Sequence, residues 1–257
     1  MMLIDTHTHL YVRDYNNDRD EVVNNAIDNG VNYLLLPNID SKSIKPLKEL
    51  CKEYPKNCFP MMGLHPTSVK ANYKADLKTV QDELEAENNY IAVGEIGIDL
   101  YWDKTFFKEQ EEALLFQFEL AINHNLPVVI HSRESFPEIF KIIEKFNNPN
   151  LNGVFHCFSG TLEDAKHITD LGFKLGIGGV VTFKKAGLDQ VVKDIDLKHI
   201  VLETDSPYLT PAPYRGKRNQ SAYIKYIAEE IAIVKDIDIN EVAKITSANA
   251  IDIFKLN

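Results

Sequence analysis

The stretch Leu3-Ile4-Asp5-Thr6-His7-Thr8-His9 begins as an apolar β-strand and ends in two histidines one residue apart. Residues two apart on a strand face the same side, so His7 and His9 leave its C-terminal end pointing together. No Gly-x-Gly-x-x-Gly follows, which argues against a doubly wound nucleotide-binding sheet. Outward from this strand, seven more short runs rich in β-branched residues recur near 31–36, 59–64, 91–96, 127–131, 154–156, 173–178 and 200–205. Their starts lie roughly 20 to 36 residues apart, enough for a crossover helix each time. Between them the apolar period turns helical. Residues 21–29 place Val22, Val23, Ala26 and Ile27 on one side and stop at Gly30, suited to a left-handed cap. Thr161 suits the N-cap of a helix running through Ala165 and Ile168 to Gly172. Residues 106–124 and 139–146 read as two more helices. Eight such repeats predict an α/β fold, a single (β/α)8 TIM barrel. Residues 240–254 add an extra C-terminal helix expected to close one end, and residues 1–257, without a Gly/Ser linker, are expected to form one domain.

Composition narrows the function. No apolar run approaches the ~20 residues of a membrane span. Met1 to Leu10 carries two histidines and an aspartate, unlike a signal peptide. Lys and Arg number 28 against 38 Asp and Glu, a net charge of −10. That balance excludes a broad basic face for coating duplex nucleic acid and leaves only local positive charge. Cys51, Cys58 and Cys157 form no Cys-x-x-Cys, so all three are read as small buried apolar residues in a reducing, cytoplasmic setting.

In a barrel, chemistry sits at the C-terminal ends of the strands. Those ends carry His7 and His9, then Glu95 in Gly94-Glu95-Ile96-Gly97-Ile98-Asp99, His131 before Ser132-Arg133, His156 before Cys157, and Asp205 in Glu203-Thr204-Asp205-Ser206-Pro207. Four histidines and two carboxylates on one rim make a donor set for divalent metal; burying them as an inert core would be expensive. The count suggests two ions, the first on His7, His9 and Asp205, the second on His131 and His156, with Glu95 bridging over ~4 Å. Imidazole favours zinc, whereas phosphate-ester hydrolysis often runs on magnesium or manganese.

These strings resemble the TatD family of metal-dependent deoxyribonucleases, within the amidohydrolase superfamily. The resemblance rests on Asp5 to His9, Gly63-Leu64-His65-Pro66, Gly94 to Asp99, His131 to Arg133, His156 to Gly160, Glu203 to Leu209 and Tyr214 to Asn219, in family order. After Asn219 the family continues Glu-Pro, whereas Gln220-Ser221 stands here, removing any contact that acidic residue makes. The resemblance implies a TIM barrel and metal-dependent hydrolysis, usually exonucleolytic cleavage of DNA. Its ligands, carried over by position, fall on His7, His9, Glu95, His131, His156 and Asp205.

The expected substrate is DNA, single-stranded or with a frayed end, with no membrane and no obligate protein partner. Two divalent ions against two carboxylates leave the site at about +2, matched to a phosphodiester. Metals would make hydroxide available near neutral pH, with Asp205 orienting the nucleophile and taking its proton, and Glu203 assisting or orienting a ligand. His65 is expected to touch phosphate or support the metal shell. Arg133, Arg215 and Arg218 are placed to guide the backbone, and Tyr101, Trp102, Phe158 and Tyr208 to stack bases. Lys184, Lys185, His124, His167 and His199 read as surface or structural. Two other readings stay open: a hydrolase of a small ester, lactone or C–N bond, and a metal-binding scaffold without turnover.

Overall fold

In the computed structural model, which describes residues 1–86 and 89–256, the short apolar runs become parallel strands and the amphipathic segments become helices. The order is β1 (Leu3–Asp5), α1 (Arg19–Asp28), β2 (Val31–Leu36), α2 (Ile44–Glu53), β3 (Cys58–Pro60), α3 (Tyr73–Ala86), β4 (Val93–Asp99) and α4 (Phe107–His124). It continues with β5 (Val128–Arg133), α5 (Phe136–Phe146), β6 (Gly153–Phe155), α6 (Leu162–Asp170), β7 (Lys174–Ile177), α7 (Leu188–Asp194), β8 (Ile200–Leu202), α8 (Ile224–Lys235) and α9 (Ile239–Phe254). Strands β1 to β3 pair in chain order, and so do β4 to β8. Parallel bridges between Met62 and Val93 and between Thr8 and Ser206 join the two sets. The sheet thus returns on itself as a (β/α)8 barrel.

Both strands at the β1–β8 seam are shorter than their sequence suggests, because a side chain interrupts the backbone ladder at one rung. β1 stops at Asp5 rather than His9, and β8 at Leu202 rather than Asp205. Thr204 gives its N–H and its hydroxyl to the Asp5 carboxylate at 2.9 and 2.6 Å instead of its N–H to a backbone carbonyl. β3 is also short, whereas β4 and β5 run on as partners to Asp99 and Arg133.

Strand alternation separates two apolar layers. Val128 and Ile130 face the helices, with Leu34, Leu36, Ile96, Ile98 and Leu175. Ile4, Leu35, Met61, Ala92, Val129, Val154 and Val201 fill the barrel interior, where Ala250, Phe254 and Leu256 meet them. So α9 and the residues after it plug the N-terminal end, as expected of the extra helix. Each of these side chains larger than alanine contributes about 1.5–3 kcal/mol by leaving water. Local signals hold as well: Gly30 takes φ 84° behind α1, and Thr161 and Asp164 form a reciprocal capping box at α6. Among the described residues no helix is long and apolar enough to cross a membrane.

Candidate metal centre

Above the apolar plug, the same strand faces turn polar. On β5, β6 and β8 the residue two places beyond Val129, Val154 and Val201 is His131, His156 and Glu203. β4 needs a different device: its register with β5 slips between Gly94 and Ile96, which turns Glu95 inward. Asp205 lies beyond β8 at φ 55°, a left-handed conformation that aspartate tolerates, and donates its N–H to the His7 carbonyl at 2.9 Å. The result brings His7, His9, His65, Glu95, His131, His156 and Asp205 into one cluster.

Glu95 is its hub, and its two oxygens face different groups. Oε2 lies 3.1 Å from His7 Nε2 and 3.7 Å from His9 Nε2. Oε1 lies 2.8 Å from His131 Nδ1, 3.3 Å from His156 Nε2 and 3.1 Å from His65 Nε2. Asp205 Oδ1 stands 3.6 Å from His9 Nε2 and 4.0 Å from His7 Nε2. The His7 and His156 rings stack at 3.5 Å between centroids. Three triads have ligand atoms within 4.8 Å of one another: His7, His9 and Glu95; His7, His156 and Asp205; His65, Glu95 and His131.

The outward nitrogens show which way the protons go. Glu203 Oε1 takes His156 Nδ1 at 3.0 Å and the Cys157 N–H at 2.7 Å, and a carboxylate only accepts. Asp99 Oδ2 takes His131 Nε2 at 2.9 Å. The Tyr11 hydroxyl gives its proton to the Pro37 carbonyl and so accepts from His9 Nδ1 at 3.0 Å. All three rings therefore hold a proton on the outside and turn the other nitrogen inward, the arrangement that orients metal-bound imidazoles. His7 Nδ1 is buried without a partner. A divalent cation fits this set: it takes the place of protons that otherwise sit between inward nitrogens and Glu95.

Electrostatics agree. Although burial opposes ionisation, the surrounding histidines hold Glu95 well below the usual carboxylate range and lower Asp205 too. Burial likewise opposes charge on His131 and His156, yet Asp99 and Glu95 raise the first, and Glu203 and Glu95 raise the second well above its ordinary value. Asp99, despite burial, falls to about 2 through its bonds to His131 and to the Trp102 and Tyr101 amides.

The other expected site residues divide. Glu203 is buried beneath His156 as its support, with Oε2 unpartnered and packed against Gly176. A Cβ at Gly176 would collide with that oxygen, so a larger residue there must displace the carboxylate that supports His156. Tyr101 and Trp102 stand 50% and 68% exposed on the rim, with the Arg133 guanidinium 3.9 and 5.4 Å from their ring centres. Tyr208 is exposed, its ring 6.3 Å from His9. Arg215 stacks on Phe183 at 3.7 Å and donates to the Thr210 carbonyl. Arg218 is committed to Asp18, to the Asp14 carbonyl and to the Tyr15 ring. Phe158 corrects its expectation: it is 1% exposed and packs on Phe136, because the turn after β6 folds it under α5 rather than outward. Cys157 is half-buried, unlike the buried Cys51 and Cys58. Two supports had been given no role. Tyr11 continues the two-residue spacing of His7 and His9, a signal present in the sequence; Asp99 closes a quoted strand and ties His131 to the aromatic rim.

Barrel and donor set define a metal-dependent hydrolase. The chain belongs to the TatD family: the family described as TatD related DNase matches residues 4–255. It is 37% identical over 257 residues, the whole of both chains, to the uncharacterized metal-dependent hydrolase YabD of Bacillus subtilis. It is 31% identical over 244 residues to the 3'-5' ssDNA/RNA exonuclease TatD of Shigella flexneri, covering 92% of this chain and 93% of that one. The solved structure of the TatD homolog YjjV from Escherichia coli superposes with a TM-score of 0.93 at 27% identity, covering 99% and 98%.

Proposed function

We propose that this chain, acting as one domain over residues 1–257, is a metal-dependent deoxyribonuclease that removes nucleotides from a single-stranded or frayed DNA end. The observation that carries the reading is the buried donor cluster opening onto a rim where Arg133 lies over the exposed Tyr101 ring, beside Trp102. A buried centre admits a flexible strand end more readily than a duplex, and aromatic faces hold bases without reading sequence. The similar exonuclease from Shigella flexneri supports the same substrate class.

His7, His9, Glu95, His131, His156 and Asp205 would hold the two divalent ions, and the two Glu95 oxygens face separate groups of these donors. Magnesium or manganese serves in function, and zinc suits the imidazoles. Bound divalent metal supplies Lewis acidity, lowering the pKa of water and offsetting phosphoryl charge. Asp205, ionised and more open than Glu95, orients the attacking water and accepts its proton. Glu203 acts through His156 as a positioning residue. Arg133 meets a phosphate, and Tyr101, Trp102 and Tyr208 stack bases; Arg215 contributes charge at the rim, while Arg218 stays with Asp18. The unpaired cysteines suit a cytoplasmic setting.

End-labelled DNA with a 3′ or a 5′ tail, incubated with chelated protein and then with magnesium, manganese or zinc restored, tests this. The expected result is a ladder shortening from one end that needs metal and disappears in Asp205→Asn. Preferential hydrolysis of a lactone or small amide, with both DNAs intact, would overturn it.

A further inference from the structure

Five of the chain's eight histidines enter the cluster, and four of them keep their outward nitrogen clear for a proton or pointing at an acceptor. His65 is built the other way. Its outward nitrogen, Nδ1, receives the backbone N–H of Thr67 at 3.1 Å, and the Thr67 hydroxyl lies 2.7 Å away. A backbone N–H only donates, so Nδ1 carries a lone pair and the proton of the neutral ring sits on Nε2. The contact belongs to the chain's course: His65 caps the short 3-10 turn Pro66–Ser68, and its own N–H is held by the Ile39 carbonyl at 2.9 Å. The other tautomer would face an Nδ1–H toward the Thr67 N–H, donor against donor, and turning the ring over would replace the acceptor with the Cδ2–H. His65 Nε2–H therefore projects into the cluster, 3.1 Å from Glu95 Oε1, as a donor with no lone pair for a metal.

Position adds to this. The side chains of His7, His9, Glu95 and His156 are 0 to 4% exposed, while His65, His131 and Asp205 reach 13, 16 and 14%. These three mark the open face of the centre, where an anionic ligand must arrive. Of the three, His131 turns its outward proton to Asp99, and Asp205 only accepts. His65 alone among them presents a neutral, fixed donor to that opening.

We propose that His65 is not a metal ligand but the hydrogen-bond donor for a non-bridging oxygen of the phosphoryl group bound at the open face. The assignment of a phosphoryl ligand rests on the phosphodiesterase reading above; the tautomer does not. A donor held neutral by a backbone amide is in place before substrate arrives, so it needs no reorganisation as charge builds on that oxygen.

The test uses zinc-loaded wild-type protein, His65→Ala and His65→Gln, the glutamine carrying an amide N–H to about the reach of Nε2. Three quantities are measured: bound zinc per chain, inorganic phosphate affinity by calorimetry, and the imidazole ¹H–¹⁵N correlations of the wild type. Expected are an unchanged zinc count in both variants, phosphate binding about 10- to 100-fold weaker in His65→Ala and largely restored in His65→Gln, and an Nε2–H tautomer for His65. DNA cleavage should fall about 100- to 1000-fold in His65→Ala. Loss of a zinc ion, an Nδ1–H tautomer, or unchanged phosphate affinity in His65→Ala each overturns the proposal. If wild type cuts no DNA but the zinc, phosphate and tautomer results hold, the nuclease reading fails and the donor assignment stands.

Discussion

Val129 and His131, Val154 and His156, Val201 and Glu203 are three pairs on the same inner face of the barrel, two residues apart, and their fates differ. The lower member of each pair joins a dry layer sealed by Phe254 and Leu256. The upper member joins a layer where nearly every polar atom has a named partner. The apolar layer is held by area and shape, which are non-directional and tolerate rearrangement. Buried charges instead cost several kcal/mol each unless matched by partners at hydrogen-bond distance. One layer therefore stores stability, and the other converts part of it into a preorganised centre.

The sharpest way to break that division is Glu95→Ala. Both of its oxygens face histidine nitrogens, so its loss uncouples the two halves of the cluster. Metal-dependent turnover should fall roughly 10⁴-fold or more, while far-ultraviolet circular dichroism stays that of the folded barrel. Phe254→Ala asks the converse. It opens the plug from below and should cost about 3–5 kcal/mol in denaturant unfolding, with kcat per folded molecule within about threefold. A large kcat loss there would mean that the layers are not separable.

The legibility of the sequence follows the same line. Wherever a member of the polar cluster continues a strand's alternation, as with His131 after Val129, periodicity and barrel geometry suffice to place it. Glu95 was found from its place at a strand end, although its inward turn depends on a register slip that no local pattern announces. What stayed hidden depends on partners distant in the chain. Phe158 looked like a rim aromatic until Phe136, from the preceding helix, covered it. Arg218 looked free for phosphate until Asp18, 200 residues away, claimed it. The lengths of β1 and β8 were misjudged because Thr204 bonds to the Asp5 carboxylate, a side-chain substitution for the ladder that strand propensity does not encode.

The smallest effect probes how far support beneath the polar layer tunes it. His131 and His156 hold protons to higher pH than ordinary histidines, because Asp99, Glu203 and Glu95 outweigh the penalty of burial. Metal must displace those protons from the inward nitrogens. Raised pKa values mean that competition persists at higher pH, so metal affinity should climb as pH rises and flatten only above the raised values. Below them the slope approaches about tenfold per pH unit for each proton displaced. Asp99→Asn removes the charge behind His131 while leaving an oxygen that can accept from Nε2–H. Its metal affinity at high pH should drop about 10- to 100-fold, the usual cost of losing a support behind a ligand. Its affinity-against-pH curve should also bend at lower pH than that of wild type, since His131 then releases its proton sooner. Manganese titrations over a pH series, with proton release read from calorimetry in buffers of different ionisation enthalpy, check both. A curve that keeps the wild-type bend would place the competing proton on His156, making Glu203 rather than Asp99 the support that sets the centre's pH response.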